Sequence, residues 1–239
     1  MGLFLQAKSE TQKNFIDFAK EVQRQHKLPI MAIRSDNGYE FKNYTLNDFL
    51  SEEGIRHQYS AAYTPQQNGV AERKNRTLMD MARSMLAEYK SPYNIWAEAI
   101  STACHSANRL YLRKGLDKTP YEILTGNKPN ISYFKVFGCK CFYLIKGVRL
   151  SKFESKALEG IFVGYGLESR TYRIFDKASG RVIESSSVVF EENDGSHVGK
   201  VGVCADAEIP QDAIGRMGVG FIRPIEGHLV ANLEELCST

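Results

Sequence analysis

The spacing of apolar positions changes character twice along the chain, and each change predicts a different kind of structure. Leu3 to Ala7 reads as a short apolar strand, and Ser9 with Gln12 forms a capping box that opens a helix with Phe15, Phe18, Ala19 and Val22 on one face. That helix should end near Lys27. After Pro29 the run IMAI has the pattern of a buried strand, which stops at Arg34-Ser35-Asp36 and turns at Asn37-Gly38. Asp36 is therefore expected at a strand's carboxyl end. Thr45 to Glu53 predicts a short helix with Leu46, Phe49 and Leu50 inward and Gly54 as its stop, followed by the alternating strand Ile55 to Tyr59 and the loop YTPQQNG.

From Val70 the pattern is that of a long amphipathic helix with Leu78, Met81, Ala82, Met85, Leu86 and Tyr89 on its apolar side and Glu72 in its first turns. Ser91-Pro92 opens the next helix, whose stripe would be Trp96, Ala99, Ile100, Ala103, Ala107 and Leu110. Thr119-Pro120-Tyr121-Glu122 caps a third, closed by Gly126. After Pro129 come short β-rich runs punctuated by glycine (GCKCFYLI, GIFVGY, TYRIF, RVIESSSVVF), the spacing of a small barrel or sheet. The fold class expected is α/β followed by all-β, with a domain boundary between residues 127 and 135. Residues 194–239 are expected to form a loosely attached, weakly structured tail with a short helix at Leu229 to Leu236.

Charge sharpens this division. The formal net charge of +3 conceals a tail from residue 191 with nine acids and three bases, against 28 bases and 19 acids in the first 190 residues. A basic body suits a polyanionic partner, because each neutralised phosphate releases counterions. Five cysteines, an odd number with no C-x-x-C pair, indicate neither a disulfide framework nor a zinc knuckle. The longest apolar runs, such as Ile161 to Val163, fall far short of the roughly 20 residues a membrane helix needs, and no membrane partner or secretory leader is expected. An intracellular protein follows.

The pair that points to chemistry is Asp36, at a strand end, and Glu72, entering a helix. Two carboxylates on one rim suit a hard divalent cation, and phosphodiester transfer needs Mg2+ or Mn2+ to neutralise charge on both the attacking and the leaving oxygen. Helical spacing sets Asn75 and Arg76 on the face of Glu72, where they would hold phosphates, and Arg73, Lys74 and Arg83 extend the basic surface. Gln66, Gln67 and Asn68 in the preceding loop would touch a DNA end, with Tyr63 stacking on a base. Each also has a plain reading: Asp36 as a turn residue, Glu72 as a solvated first-turn acid, Arg73 to Arg76 as a wet helix face, and Gln66 to Asn68 as a polar loop. Cys139 and Cys141 read as core thiols, and His57 and His105 lack partners at ligand spacing.

The strings RSDNGYEF, YTPQQNGVAERKNRTLMDMARSML and IWAEAISTACHSANRL closely resemble the integrase core of copia-type LTR retrotransposons. TPYEILTGNKPNISYFKVFGCKCFYLI and KFESKALEGIFVGYGLESRTYRIFD resemble the SH3-like barrel that follows that core. The resemblance spans residues 3–193. It implies an RNase H-like core over residues 1–127, an SH3-like barrel over 133–193, and a triad of two aspartates and one glutamate (the DDE family) that holds two Mg2+ or Mn2+ ions. It further implies DNA partners, both element ends and target, with homo-oligomers and a place in nucleus and cytoplasm. Asp36 matches the family's second aspartate and Glu72 its glutamate, as catalytic and metal-binding residues. The first aspartate lies upstream of the matched segment, so one ion or none is expected here, with weak or absent strand transfer. The family's central strand would also be lacking, leaving an unpaired sheet edge and a reduced core. Two rival functions follow: a non-enzymatic DNA- or protein-binding remnant, and an RNase H-like nuclease.

Overall fold

The computed structural model describes residues 11–35, 44–59, 69–88, 93–144, 157–166, 170–192, 218–225 and 228–235; the side chains of 70–72 and of the strands after residue 218 are not described. The strand expected at Leu3 to Ala7, the cap Ser9, the turn Asn37-Gly38, the loop Tyr63 to Asn68, Tyr89 and the cap Ser91 lie outside the described residues. No helix among the described residues is long and apolar enough to cross a membrane. The chain divides into two units, the first made of Met1–Leu78, Cys104–Pro129 and Glu208–Thr239, the second of Met79–Ala103 and Asn130–Ala207. The chain passes between them after Leu78, Ala103, Pro129 and Ala207.

In the first unit, helix α1 (Thr11–His26) buries the predicted stripe of Phe15, Phe18, Ala19 and Val22. Lys27 takes a left-handed φ of 52° and ends the helix. Strand β1 (Ile30–Ser35) follows at once, and its Ile30 N–H donates to Gln23 Oε1 at 2.8 Å, which ties the strand's start to the helix before it. Helix α2 (Tyr44–Glu52) buries Leu46, Phe49 and Leu50 and stops at Gly54, whose φ of 68° needs no Cβ there. Strand β2 (Arg56–Tyr59) then lies parallel to β1. One apolar cluster joins α1, β1, α2 and Ile55, which leads into β2.

The tail supplies the other half of this sheet. Residues Gly218–Ile225 form β8 and His228–Glu235 form β9, an antiparallel hairpin, and β9 pairs parallel with β1 so that the strand order is β2-β1-β9-β8. The helix expected at Leu229 to Leu236 is a strand, and the expected unpaired edge is covered. The physical reason is the backbone edge of β1, which HLVANLEE satisfies by parallel pairing. Pairing with a strand distant in sequence overrides the segment's weak periodicity.

The second unit holds a five-stranded antiparallel sheet in the order β6-β5-β4-β3-β7, made of β3 (Lys140–Leu144), β4 (Ala157–Tyr165), β5 (Tyr172–Asp176), β6 (Arg181–Ser185) and β7 (Val188–Glu191). Cys139, Cys141, Tyr143, Phe162 and Ile174 fill its core, as expected for the two thiols. Burial holds the Cys141 thiol protonated, its pKa pushed up to about 12. Gly160 is required by closeness: a Cβ there would meet Ile174 Cγ2 at 2.4 Å.

Two helices also contribute to this unit. Helix α3 (Gly69–Glu88) has its residues from Met79 onward here, and helix α4 (Trp96–Leu110) its residues up to Ala103, α4 being led in by a 3-10 turn at Tyr93–Ile95. Arg173 on β5 grips Glu98 of α4 through Nε to Oε2 at 2.7 Å and Nη2 to Oε1 at 2.5 Å, and reaches Glu184 Oε1 through Nη1 at 3.0 Å. One turn further along α4, Thr102 Oγ1 donates to the Val163 carbonyl at 2.9 Å, and Gly164 makes room for it, since a Cβ there would sit 2.7 Å from that hydroxyl. A two-pronged guanidinium–carboxylate pair and a buried hydroxyl bond thus hold the helix to the sheet.

Two outcomes are expected. Removing residues 208–239 uncovers β1, so the truncated chain should lose most of the cooperative unfolding signal of the first unit or self-associate, as seen by circular dichroism melting and light scattering; an unchanged monomeric melt would show that the hairpin contributes nothing. Glu98→Ala should lower stability by about 1–2 kcal/mol, because the half-buried Arg173 charge loses its best partner, and Arg173→Lys should recover only part of the loss made by Arg173→Ala, both read from urea midpoints.

Candidate nucleic-acid and metal site

The carboxyl end of β1 is the rim toward which the sequence evidence points. Parallel pairing aligns Ile33 with His57, Arg34 with Gln58 and Ser35 with Tyr59 on one side, and Arg34 with Asn232 on the other. The carboxyl ends of β2, β1 and β9 therefore lie at one edge, the place where open parallel sheets carry their ligands. Asp36 follows Ser35 directly in the chain but lies outside the described residues, as do Tyr63, Gln66, Gln67 and Asn68. Glu72 stands in the first turn of α3, its side chain likewise outside the described set.

What is described around this rim is an ordered set of side-chain bonds. The Ser35 hydroxyl and His57 Nε2 are 2.9 Å apart, Arg34 Nη2 donates to Gln58 Oε1 at 3.2 Å, and the His57 and Tyr59 rings lie 4.0 Å apart, tilted by 33°. Ser35 is only 1% exposed. Burial pushes the His57 pKa below its ordinary value, so the ring is neutral at pH 7. His105 on α4 is pushed down further, to about 3, by burial first and then by the Arg109 charge. Spacing along the chain could not reveal the Ser35–His57 pair, because it arises from the register of two strands; a period-2 reading of both strands with that register would have found it.

The basic residues of α3 divide by face. Arg73 and Arg76 are exposed and available to phosphates, whereas Lys74 is half-buried, with its pKa lowered chiefly by that burial. Arg83 is exposed and bonded to Asp80 Oδ1 at 3.1 Å. Asn75 requires a correction: it is 1% exposed with a buried, unbonded Oδ1, so it does not hold phosphate. The reason is helical phase. The buried residues of α3 are Asn75, Leu78, Met79, Ala82 and Leu86, a stripe turned from the expected one and extended one turn back, with Met81 and Met85 half-buried. Continuing the predicted stripe backward from Leu78 and Ala82 already lands on position 75.

For a cation, the donor set is the test. Asp36 and Glu72 offer carboxylate oxygens, the chemistry Mg2+ and Mn2+ prefer. Among the described residues no group of three or more His, Cys, Asp or Glu is placed to hold a metal.

Comparison with known proteins supports the resemblance over most of the chain. The family model described as the retroviral polymerase SH3-like domain matches residues 139–200. The chain is 37% identical over 190 residues to the retrovirus-related Pol polyprotein from transposon TNT 1-94 of Nicotiana tabacum, a match covering 80% of this chain and 14% of that polyprotein. It is 35% identical over 188 residues to the corresponding polyprotein from transposon RE2 of Arabidopsis thaliana, covering 79% of this chain and 13% of the relative. Among solved structures, the HTLV-2 integrase catalytic core domain in complex with magnesium aligns at a TM-score of 0.37 and 21% identity, over 47% of this chain and 69% of that one.

The two half-buried histidines generate a pH dependence. Their folded pKa values lie below the unfolded value of 6.5, so the unfolded chain binds more protons and stability falls as pH drops below about 6.5. Thermal midpoints measured from pH 7 to pH 4.5 should decline, and His105→Gln should flatten the curve; an identical slope in the variant would exclude His105 as its source. Four-fifths of this chain is thus homologous to a segment of the copia-type Pol polyproteins, of which it spans about one seventh, and its residues 139–200 match the retroviral polymerase SH3-like domain.

Proposed function

We propose that this chain is the integrase segment of a retrotransposon polyprotein, a DNA-binding protein whose Asp36 and Glu72 hold a divalent cation at the carboxyl end of the parallel sheet. The observation that carries this reading is the register of β1. The strand that precedes Asp36 is flanked on both sides by parallel neighbours, so its end opens on the sheet's ligand-binding edge. Homology to Pol polyproteins over four-fifths of the chain supports it independently.

In this reading each residue has a limited task. Asp36 and Glu72 would supply oxygen ligands to Mg2+ or Mn2+. A bound ion of that kind lowers the barrier to phosphodiester transfer by neutralising charge on the attacking and leaving oxygens. Arg73 and Arg76, exposed on the first half of α3, bind the phosphates of a DNA end and set its register, without reading its sequence. Ser35 and His57 fix the strand end from which Asp36 leaves. The two carboxylates are ligands enough to share one ion at this rim.

The test has two arms. Titration with Mn2+, followed by water-proton relaxation, should show one site that is lost in Asp36→Asn and in Glu72→Gln. Binding of an element-end duplex should fall steeply with salt, and Arg73→Gln with Arg76→Gln should lower the slope of log affinity against log salt by about 1.8. Unchanged Mn2+ binding in both carboxylate variants would remove the metal reading. Robust joining of DNA ends abolished by Asp36→Asn would overturn the expectation of weak transfer.

A further inference from the structure

A second basic surface lies in the same unit, on the loop between α4 and helix α5 (Pro120–Thr125), and neither the resemblance nor the site above uses it. The loop is closed on itself by backbone bonds: Arg113 N–H donates to the Lys118 carbonyl at 2.9 Å, and Leu116 and Asp117 N–H donate to the Arg113 carbonyl at 3.1 and 3.2 Å. Gly115 and Asp117 take left-handed φ values of 84° and 48°, which tightens the turn. On its far side Thr119 caps α5 reciprocally with Glu122. This is an ordered protrusion whose shape is set by its own backbone.

What it displays is unusual for an ordered turn. Leu110, Tyr111, Leu112 and Leu116 are 46%, 51%, 63% and 57% exposed, four large apolar side chains within seven positions. Exposed apolar side chains grouped this closely mark an interaction surface. Arg113 and Lys114 stand between them and Lys118 follows, with Asp117 as the acid of the loop. Arg109, just before, is committed elsewhere: it lies 4.7 Å from the Tyr121 ring and donates to the His105 carbonyl.

Cations interleaved with flat and apolar side chains match a polyanion that also offers flat apolar faces. A duplex buries its bases, whereas a strand with unpaired bases exposes both parts. We propose that the loop Leu110–Lys118 is a contact for single-stranded DNA, with Tyr111 stacking on an unpaired base and Lys114 and Lys118 neutralising the phosphates beside it. The proposal rests on the reading of the chain as a DNA-binding integrase segment, and it adds a preference for unpaired ends. The loop is too short to lie on a membrane as an amphipathic helix.

Fluorescence anisotropy with the full chain tests it, using a labelled 20-nucleotide mixed-sequence strand and the duplex of the same length at 50 and 200 mM NaCl. Tyr111→Ala should weaken single-strand binding at least fivefold and duplex binding less than twofold. The double variant Lys114→Gln with Lys118→Gln should lower the single-strand salt slope by about 1.4. All three positions are on the surface, so thermal melts matching the parent chain would separate lost contact from lost fold. If the parent chain binds DNA and both variants bind single strands like it, the loop assignment fails while the integrase reading stands. If the parent chain binds neither DNA at 50 mM salt, both fail. Binding of the loop to vesicles of anionic phospholipid, with single-strand affinity unchanged in the variants, would also overturn it.

Discussion

The first unit depends on parallel pairing of β1 from both sides. Ile30, Ile33 and Ser35 are buried, and a strand that buries side chains while leaving one backbone edge in water would carry unsatisfied N–H and carbonyl groups along that edge. β2 satisfies one edge through the register Ala32 with Arg56 to Ser35 with Tyr59, and β9, from the far end of the chain, satisfies the other. Parallel direction has a second consequence. All three strands end at one rim, so the segments that follow them in sequence leave from neighbouring points.

The second unit solves a different problem. An antiparallel sheet of short strands has little core of its own, and Cys139, Cys141, Tyr143, Phe162 and Ile174 fill what there is. The first half of α4 adds to it through close approach, which small residues permit: Gly164 leaves room for the Thr102 hydroxyl, and the Arg173 fork closes on Glu98. Each of these is local geometry that a larger side chain would block. Half-buried charge pairing of this kind specifies one seating of the helix on the sheet more than it adds stability.

Much of this was legible in the residue pattern because it is local. The stripes of α1 and α2, the capping box of α5, and the change to short β-runs after Pro129 follow from periods of 3.6 and 2 and from cap chemistry, which need no knowledge of distant contacts. Two things were not. HLVANLEE forms a strand because β1 offers it an edge, so its structure is decided by a partner far away in the chain. The Ser35–His57 bond likewise depends on a register that neither strand contains alone. Asn75 is a different case: a polar residue on an apolar stripe was read by its chemistry when its helical phase already placed it inside. The candidate carboxylates were named from their contexts and a family resemblance, and the fold supplies the rim on which one of those contexts ends.

The central claim is that Asp36 and Glu72 meet around one ion at that rim. Diffraction from crystals soaked in Mn2+, collected at a wavelength that makes manganese scatter anomalously, tests it directly. The account predicts a single strong anomalous peak within roughly 2.1–2.3 Å of a carboxylate oxygen from each residue, beside the carboxyl end of β1. Carboxylates that point away from each other, with no peak between them in crystals grown with the ion, would contradict it.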